Sequence, residues 1–268
     1  MKDNFFQNNR DMWNEWAELH AGSGFYDTAG FIKGRCTLDA IELDEVGDVN
    51  GKSLLHLQCH FGMDTLSWAR RGAKVTGVDF SDKAIEIARN LSDETGLQAH
   101  FICSNLYDLP RNLKGEFDII YTSAGVLCWL PDLREWADVI AQFLKRGGFF
   151  YIREEHPVIT MLFDDNPDVS KPEIQNSYFH KPEPDIYPTE GSYAGVKTRR
   201  IHHSHEWTHG LGDIINSLIA AGLRIEFLHE YPKLFFKAMP YMTQDREGYW
   251  RIEGDKIPLL FTLKAGKH

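Results

Sequence analysis

SLLHLQCHFGMDTLSWARRGAKVTGVDFS, residues 53–81, changes hydrophobic period repeatedly within one short stretch. Ser53–Leu57 is a near-continuous apolar run of strand length. A helix is expected from about Asp64, carrying Leu66, Ala69 and Arg70 until Gly72 stops it, and Lys74–Asp79 reads as the next strand. Working outward, Ser81 or Asp82 caps a helix with Ala84, Ile87, Ala88 and Leu91 on one face, ended by Gly96. Strands at Ala99–Cys103 and Phe117–Thr122 follow. A helix with Leu133, Trp136, Ala137, Ile140 and Leu144 is closed by Lys145, Arg146 and Gly147, and a fifth strand is expected at 149–153. Strands alternating with helices give an α/β fold, a doubly wound and mostly parallel sheet covered on both faces.

The pattern breaks at 154–209, rich in Pro, Tyr, His and Asp, which reads as a lid inserted in the core. It then resumes with a helix bearing Leu211, Ile214, Ile215, Leu218 and Ile219, stopped by Gly222, and strands at 224–229 and 259–263. Residues 1–50, with Trp13, Trp16, Tyr26 and Phe31, form an N-terminal helical arm, leaving 51–268 as the main domain. Of the 268 residues, roughly 170 suffice for such a core, so the surplus lies in the arm, the lid and the segment before the last strand. A formal charge of -10 disfavours nucleic acid and anionic membranes as partners. Cys36, Cys59, Cys103 and Cys128 form no Cys-x-x-Cys pair and are expected to be reduced and mostly buried, as in a cytoplasmic protein. No apolar run is long enough to span a bilayer.

In an open parallel sheet the ligand lies at the carboxyl ends of the strands. The first such loop keeps Gly62 but has Gln58 and His60 where a dinucleotide site wants glycine, which tells against a nicotinamide or flavin dinucleotide. Asp79 ends the second strand, placed to accept both hydroxyls of a ribose. Asn105 follows the third strand, where its amide suits a purine edge while the Leu106 amide donates to a ring nitrogen. Together these residues describe an adenosine carrying a small zwitterion, which S-adenosyl-L-methionine satisfies.

Residues 53–81, ICSNLYDLP at 102–110, FDIIYTSAGVLCWLPDL at 117–133 and LKRGGFFYIREEHP at 144–157 resemble the class I S-adenosylmethionine-dependent methyltransferase superfamily. Within it the chain looks closest to a bacterial branch with Leu-His-Leu-Gln-Cys-His in the first loop. The resemblance implies a Rossmann-like, seven-stranded sheet whose last strand is antiparallel. It also implies a cofactor site at Gln58, His60, Gly62, Asp79, Phe80 (on the adenine face), Asn105, Leu106 and Ser123. The chain departs from the family's pattern at His56, where an acidic residue is usual, and at Gln58 and His60, where glycines are usual.

Methyl transfer is an in-line displacement, so the protein supplies alignment, a dry pocket and, for a protonated nucleophile, a base. His156, just past the fifth strand, is the expected base, and its neighbours Glu154 and Glu155 suit a cationic substrate. Trp13, Tyr26, Trp129 and Tyr178 are candidate walls, each also readable as core or lid packing, the reading preferred for Trp129, and His205 is a candidate for lining the acceptor pocket. His203 and His205 alternate on a strand, but no Cys or close carboxylate completes a metal set, so no metal is expected. The reading is methyl transfer to oxygen or nitrogen of a small molecule by a monomer or homodimer. The competing readings are a non-catalytic adenosine-binding module and, further off, a nicotinamide-dependent oxidoreductase.

Overall fold

A computed structural model describes residues 2–163, 166 and 168–268. The chain opens with the helices α1 (Lys2–Ala21), α2 (Thr28–Ile32) and α3 (Ala40–Val46). The core then alternates through β1 (Ser53–Leu57), α4 (Met63–Arg70), β2 (Lys74–Asp79), α5 (Asp82–Thr95) and β3 (Ala99–Cys103). A 3-10 turn (Leu106–Asp108) and α6 (Leu109–Asn112) lead to β4 (Phe117–Thr122), a second 3-10 turn (Leu127–Trp129), α7 (Leu133–Phe143) and β5 (Leu144–Glu155). The insertion carries α8 (Val158–Leu162) and the hairpin β6 (Asp185–Gly191) and β7 (Lys197–Glu206). After it come α9 (Leu211–Ala220), β8 (Arg224–Tyr231), β9 (Thr243–Gln244), β10 (Trp250–Arg251) and β11 (Leu260–Gly266).

Among the described residues the main sheet has seven strands in the order β3-β2-β1-β4-β5-β11-β8. Its strands run parallel except β11, which lies one in from the edge and pairs antiparallel with both β5 and β8. The last strand is thus antiparallel, as expected. Period-two alternation divides the core: Leu55, Leu57, Ile120, Phe150 and Ile152 pack under α7 and α9. Leu54, Val75, Ile119, Tyr121 and Tyr151 face Trp68 of α4 on the other side. Strand order reverses between β1 and β4, so their carboxyl ends open the crevice where ligands bind in such sheets.

Some expectations need correction. The helix at 133 ends one residue earlier than expected, and β5 begins at Leu144, because a register shift against β4 brings Leu144 opposite Phe117. Gly148 backs so closely on the Asp118 carbonyl that a Cβ there would stand 2.6 Å from its oxygen. In α5 Ile85 is buried along with Ala84, Ala88 and Leu91, while Ile87 is only partly so. Cys36 and Cys103 are exposed, contrary to the mostly buried reading. Among the described residues no helix is long and apolar enough to cross a membrane.

The arm and the insertion meet over the crevice. Glu15 and Glu18 of α1 pair with His202 (2.7 Å) and Arg199 (3.3 Å) of β7. On its other side α1 reaches the start of α5: Asn14 Nδ2 donates to Asp82 (2.9 Å), and Ser81 Oγ donates to Asn14 Oδ1 (2.6 Å). The basic strand at 197–205 is therefore docked on acids of the arm instead of facing an anionic substrate.

Candidate cofactor and acceptor site

The loop after β1 is built from left-handed residues. Gln58 (φ 56°), His60 (φ 50°) and Gly62 (φ 79°) alternate in that conformation, which suits glycine and costs other residues about 1–2 kcal/mol. Only Gly62 is a glycine because a Cβ there would lie 2.7 Å from Phe101 Cζ. The other two hold their conformation through bonds. The His60 amide donates to Asp79 Oδ2 (2.8 Å), and Gln58 Nε2 donates to the Val126 carbonyl (3.0 Å).

Asp79, 8% exposed, also accepts from the Ser81 amide at 2.9 Å. Burial pushes its pKa up to about 6 against the lowering effect of these amides. A carboxylate has about four lone-pair sites, so these amides do not exhaust its capacity to accept. Beside it Phe80, Ser104, Asn105, Leu106 and Trp129 line a narrow slot. Asn105 caps the turn after β3 through Oδ1, which accepts from the Tyr107 amide (3.0 Å) and leaves its NH2 to a ligand. Ser123 Oγ stands 3.1 Å from His56 Nε2, and His56 Nδ1 meets Thr65 Oγ1 at 2.8 Å. Burial drives the His56 pKa down to about 4, so a neutral imidazole replaces the acid usual there and ties β1 to α4 and the loop after β4.

Above this slot opens a cavity of ≈ 790 Å³ between arm, first loop and hairpin. Trp13 and Tyr26, both expected walls, line it and pack their rings 5.2 and 5.6 Å from the His60 ring. Trp129 also lines it, its indole donating to the Gly125 carbonyl at 2.9 Å. His20 Nδ1 and His60 Nε2 share a bond of 3.0 Å, and His20 Nε2 meets Ser192 Oγ of the hairpin at 2.8 Å. Burial lowers both pKa values, His20 to about 4, so the pair is neutral. His20 was not expected in the site, although Trp13, Trp16 and His20 share one helical face, a signal in the sequence.

Other expected residues lie elsewhere. His156 is buried outside the cavity lining: Nδ1 accepts from the Val158 amide (3.2 Å) at the start of α8, and Nε2 lies 3.0 Å from Glu230. Tyr178 is likewise outside, its hydroxyl accepting from the Leu211 amide (3.0 Å) at the start of α9. His205 stacks on Phe5 of α1, ring centroids 4.8 Å apart, while its neighbours Ser204 and Glu206 line the cavity. His203 is exposed and His205 buried, so the two do not converge.

Glu154 accepts from the amides of Gly125 (2.5 Å), Val126 (2.9 Å) and Leu127 (3.1 Å), fixing the loop after β4. Glu155, on the opposite face of β5, lines the cavity.

Residues 54–148 match the family described as Methyltransferase domain. Over these residues, from β1 to the start of β5, the chain is similar to methyltransferase domains. A curated relative, the Ubiquinone biosynthesis O-methyltransferase of Escherichia coli O7:K1, is 27% identical over 151 residues, 54% of this chain and 62% of the relative. The protein of that name from Chromobacterium violaceum is 30% identical over 109 residues, 41% and 47% of the two chains. The matches thus span less than two thirds of either relative. An S-adenosylmethionine dependent methyltransferase of Mesorhizobium loti superposes with a TM-score of 0.56 at 22% identity, covering 87% of this chain and 99% of that one, which shows the shared fold. Beside Asp79, Gln58 Oε1 and His60 Nδ1 are buried and have no hydrogen-bond partner among the described residues.

Proposed function

We propose that the chain transfers a methyl group from S-adenosyl-L-methionine to oxygen or nitrogen of a small molecule, enclosed by residues 1–50 and the insertion at 154–209. The observation that carries the reading is Asp79, a buried carboxylate at the end of β2 that joins the left-handed first loop to the slot lined by Phe80, Asn105 and Leu106. S-adenosylmethionine, when bound, supplies an electrophilic methyl group on a sulfonium. Asp79 would hold the ribose hydroxyls, Asn105 and Leu106 the adenine, and Gln58 and His60 the amino-acid end, with Ser123 beside it. Trp13, Tyr26 and Trp129 would exclude water and offer ring faces to the cation. The names of the curated relatives support a small-molecule acceptor.

Calorimetry with S-adenosylhomocysteine tests the reading. The intact chain should bind it, and Asp79→Ala should remove most of that binding. No binding by the intact chain would end the proposal. Binding without methylated product across a wide set of acceptors would favour a non-catalytic adenosine-binding module.

A further inference from the structure

The charges that line the cavity do not balance. Arg35 is taken up by Asp27 (3.0 Å) and Arg153 by Glu42 (3.1 Å). Glu155 and Glu206 line the same cavity, and among the described residues neither has a cation partner. Glu206 is held by Ser204 Oγ at 2.6 Å, whereas the Glu155 side chain makes no hydrogen bond among the described residues. Glu155 Oε1 lies 3.3 Å from where a Cβ would stand on Gly125, in the loop whose Val126 carbonyl holds Gln58. Its carboxyl therefore sits where the cofactor loops meet the acceptor cavity. Arg153, only 7% exposed, lines the cavity with a buried Nη1 that has no hydrogen-bond partner among the described residues, a donor for an oxygen on the acceptor.

We propose that the acceptor is an amine on an aryl-alkyl body, bound as its ammonium against Glu155, which then takes the proton that frees the nitrogen lone pair. This rests on the methyltransferase reading above. A desolvated carboxylate without a counter-cation favours a positive ligand, and the faces of Trp13 and Tyr26 add to that preference. A carboxylic acid would instead bring a negative charge that keeps the proton on Glu155 and lies near Glu206, and an alcohol would bring no charge to offset a carboxylate. In the reaction R–NH3+ and the Glu155 carboxylate become R–NH2 and the carboxylic acid. The lone pair then forms the N–CH3 bond, the C–S bond breaks with its electron pair staying on sulfur, and the positive charge leaves on the methylated ammonium.

Burial and then the charges of Glu154 and Glu206 push the Glu155 pKa up to about 8, opposed by Arg153. Tyr193 in the hairpin and Cys128 after β4 share this field. At pH 7 the free protein therefore holds a proton on Glu155 that an incoming ammonium must expel.

The test is calorimetry on the intact protein saturated with S-adenosylhomocysteine, at pH 7 in two buffers of different ionisation enthalpy. The probes are 2-phenylethylamine, 2-phenylethanol and phenylacetate. The amine should bind at least tenfold tighter than the alcohol, phenylacetate more weakly than either, and amine binding should release protons. Glu155→Gln should abolish both the preference and the proton release while S-adenosylhomocysteine still binds. Glu206→Gln should move the midpoint of proton release to lower pH, a second reading should Glu155→Gln not fold. Amine binding that is absent, no tighter than the alcohol, or unaccompanied by proton release overturns the acceptor assignment alone. Failure of S-adenosylhomocysteine to bind overturns the methyltransferase reading and this inference with it.

Discussion

Gly62→Ala should be among the most damaging single-methyl changes in the domain. The new Cβ would lie 2.7 and 2.8 Å from Phe101 Cζ and Cε1 and 3.0 Å from Ala88 Cβ, and the φ of 79° is a second, independent penalty. Alanine in the left-handed region costs about 1–2 kcal/mol, and overpacking a filled site about 1–3 kcal/mol, so the sum is about 2–5 kcal/mol. Phe101 has little room to yield, because its ring is wedged between two glycines: a Cβ on Gly77 would also stand 2.7 Å from it. Urea unfolding should show the midpoint falling with the slope unchanged. Repeating the substitution in a Phe101→Ala background separates the two terms, since the clash with the ring should vanish while the φ part and the milder contact with Ala88 remain. A cost below about 1 kcal/mol, or the same cost with and without the Phe101 ring, refutes the reasoning.

Other consequences can be checked on the protein without cofactor. Asp79 titrates near 6 in place of 3.8, so its burial makes the native state lose stability as pH rises from about 4 through 6. At about 1.4 kcal/mol per unit over about two units, Asp79→Ala should gain about 3 kcal/mol relative to wild type across that window, measured by urea unfolding at several pH values. His56 titrates near 4 in place of 6.5, so its contribution is lost as pH falls through that interval, and His56→Gln should flatten the acid limb by up to about 3 kcal/mol. Tyr178→Phe should cost about 1 kcal/mol, from the Leu211 amide left without its acceptor, and leave S-adenosylhomocysteine affinity within twofold. His60→Gly relieves the left-handed φ but releases His20, so global stability should change by less than about 1 kcal/mol while amide exchange in α1 quickens.

The alternation of strand and helix was legible because Leu54–Leu57 and Val75–Val78 are runs too short and too apolar for anything but buried strands, and Gly72, Gly96 and Gly222 end the helices. The placement of Asp79 and Asn105 beside the slot was legible because both stand at the carboxyl ends of strands. Docking of the arm was not. It depends on Glu15 and Glu18 meeting His202 and Arg199, more than 180 residues away, and neither charge run reveals its partner. His156, the expected base, lies outside the cavity lining for a local reason. β5 runs two residues beyond the expected end, so Arg153 and Glu155 continue the face of Tyr151 toward Glu42 and the cavity while Glu154 turns to the loop after β4. The chain then bends at Pro157, and His156 serves the first amide of α8.

That placement also accounts for the two residues that break the first-loop pattern. A glycine at 58 or 60 would adopt the same backbone without strain, so the side chains must return more than the strain removes. Gln58 returns a bond to Val126, in the loop that Glu154 holds by its amides. His60 returns the link through His20 to Ser192, which joins the first loop to the arm and the hairpin. An all-glycine loop would bind a cofactor's amino-acid end by close approach of the backbone, but would leave nothing to pin the two layers that form the acceptor cavity. On the proposed reading the loop that would receive the cofactor is also the floor of the cavity between arm and hairpin, so substitutions at 58 and 60 should alter acceptor binding as well as cofactor affinity.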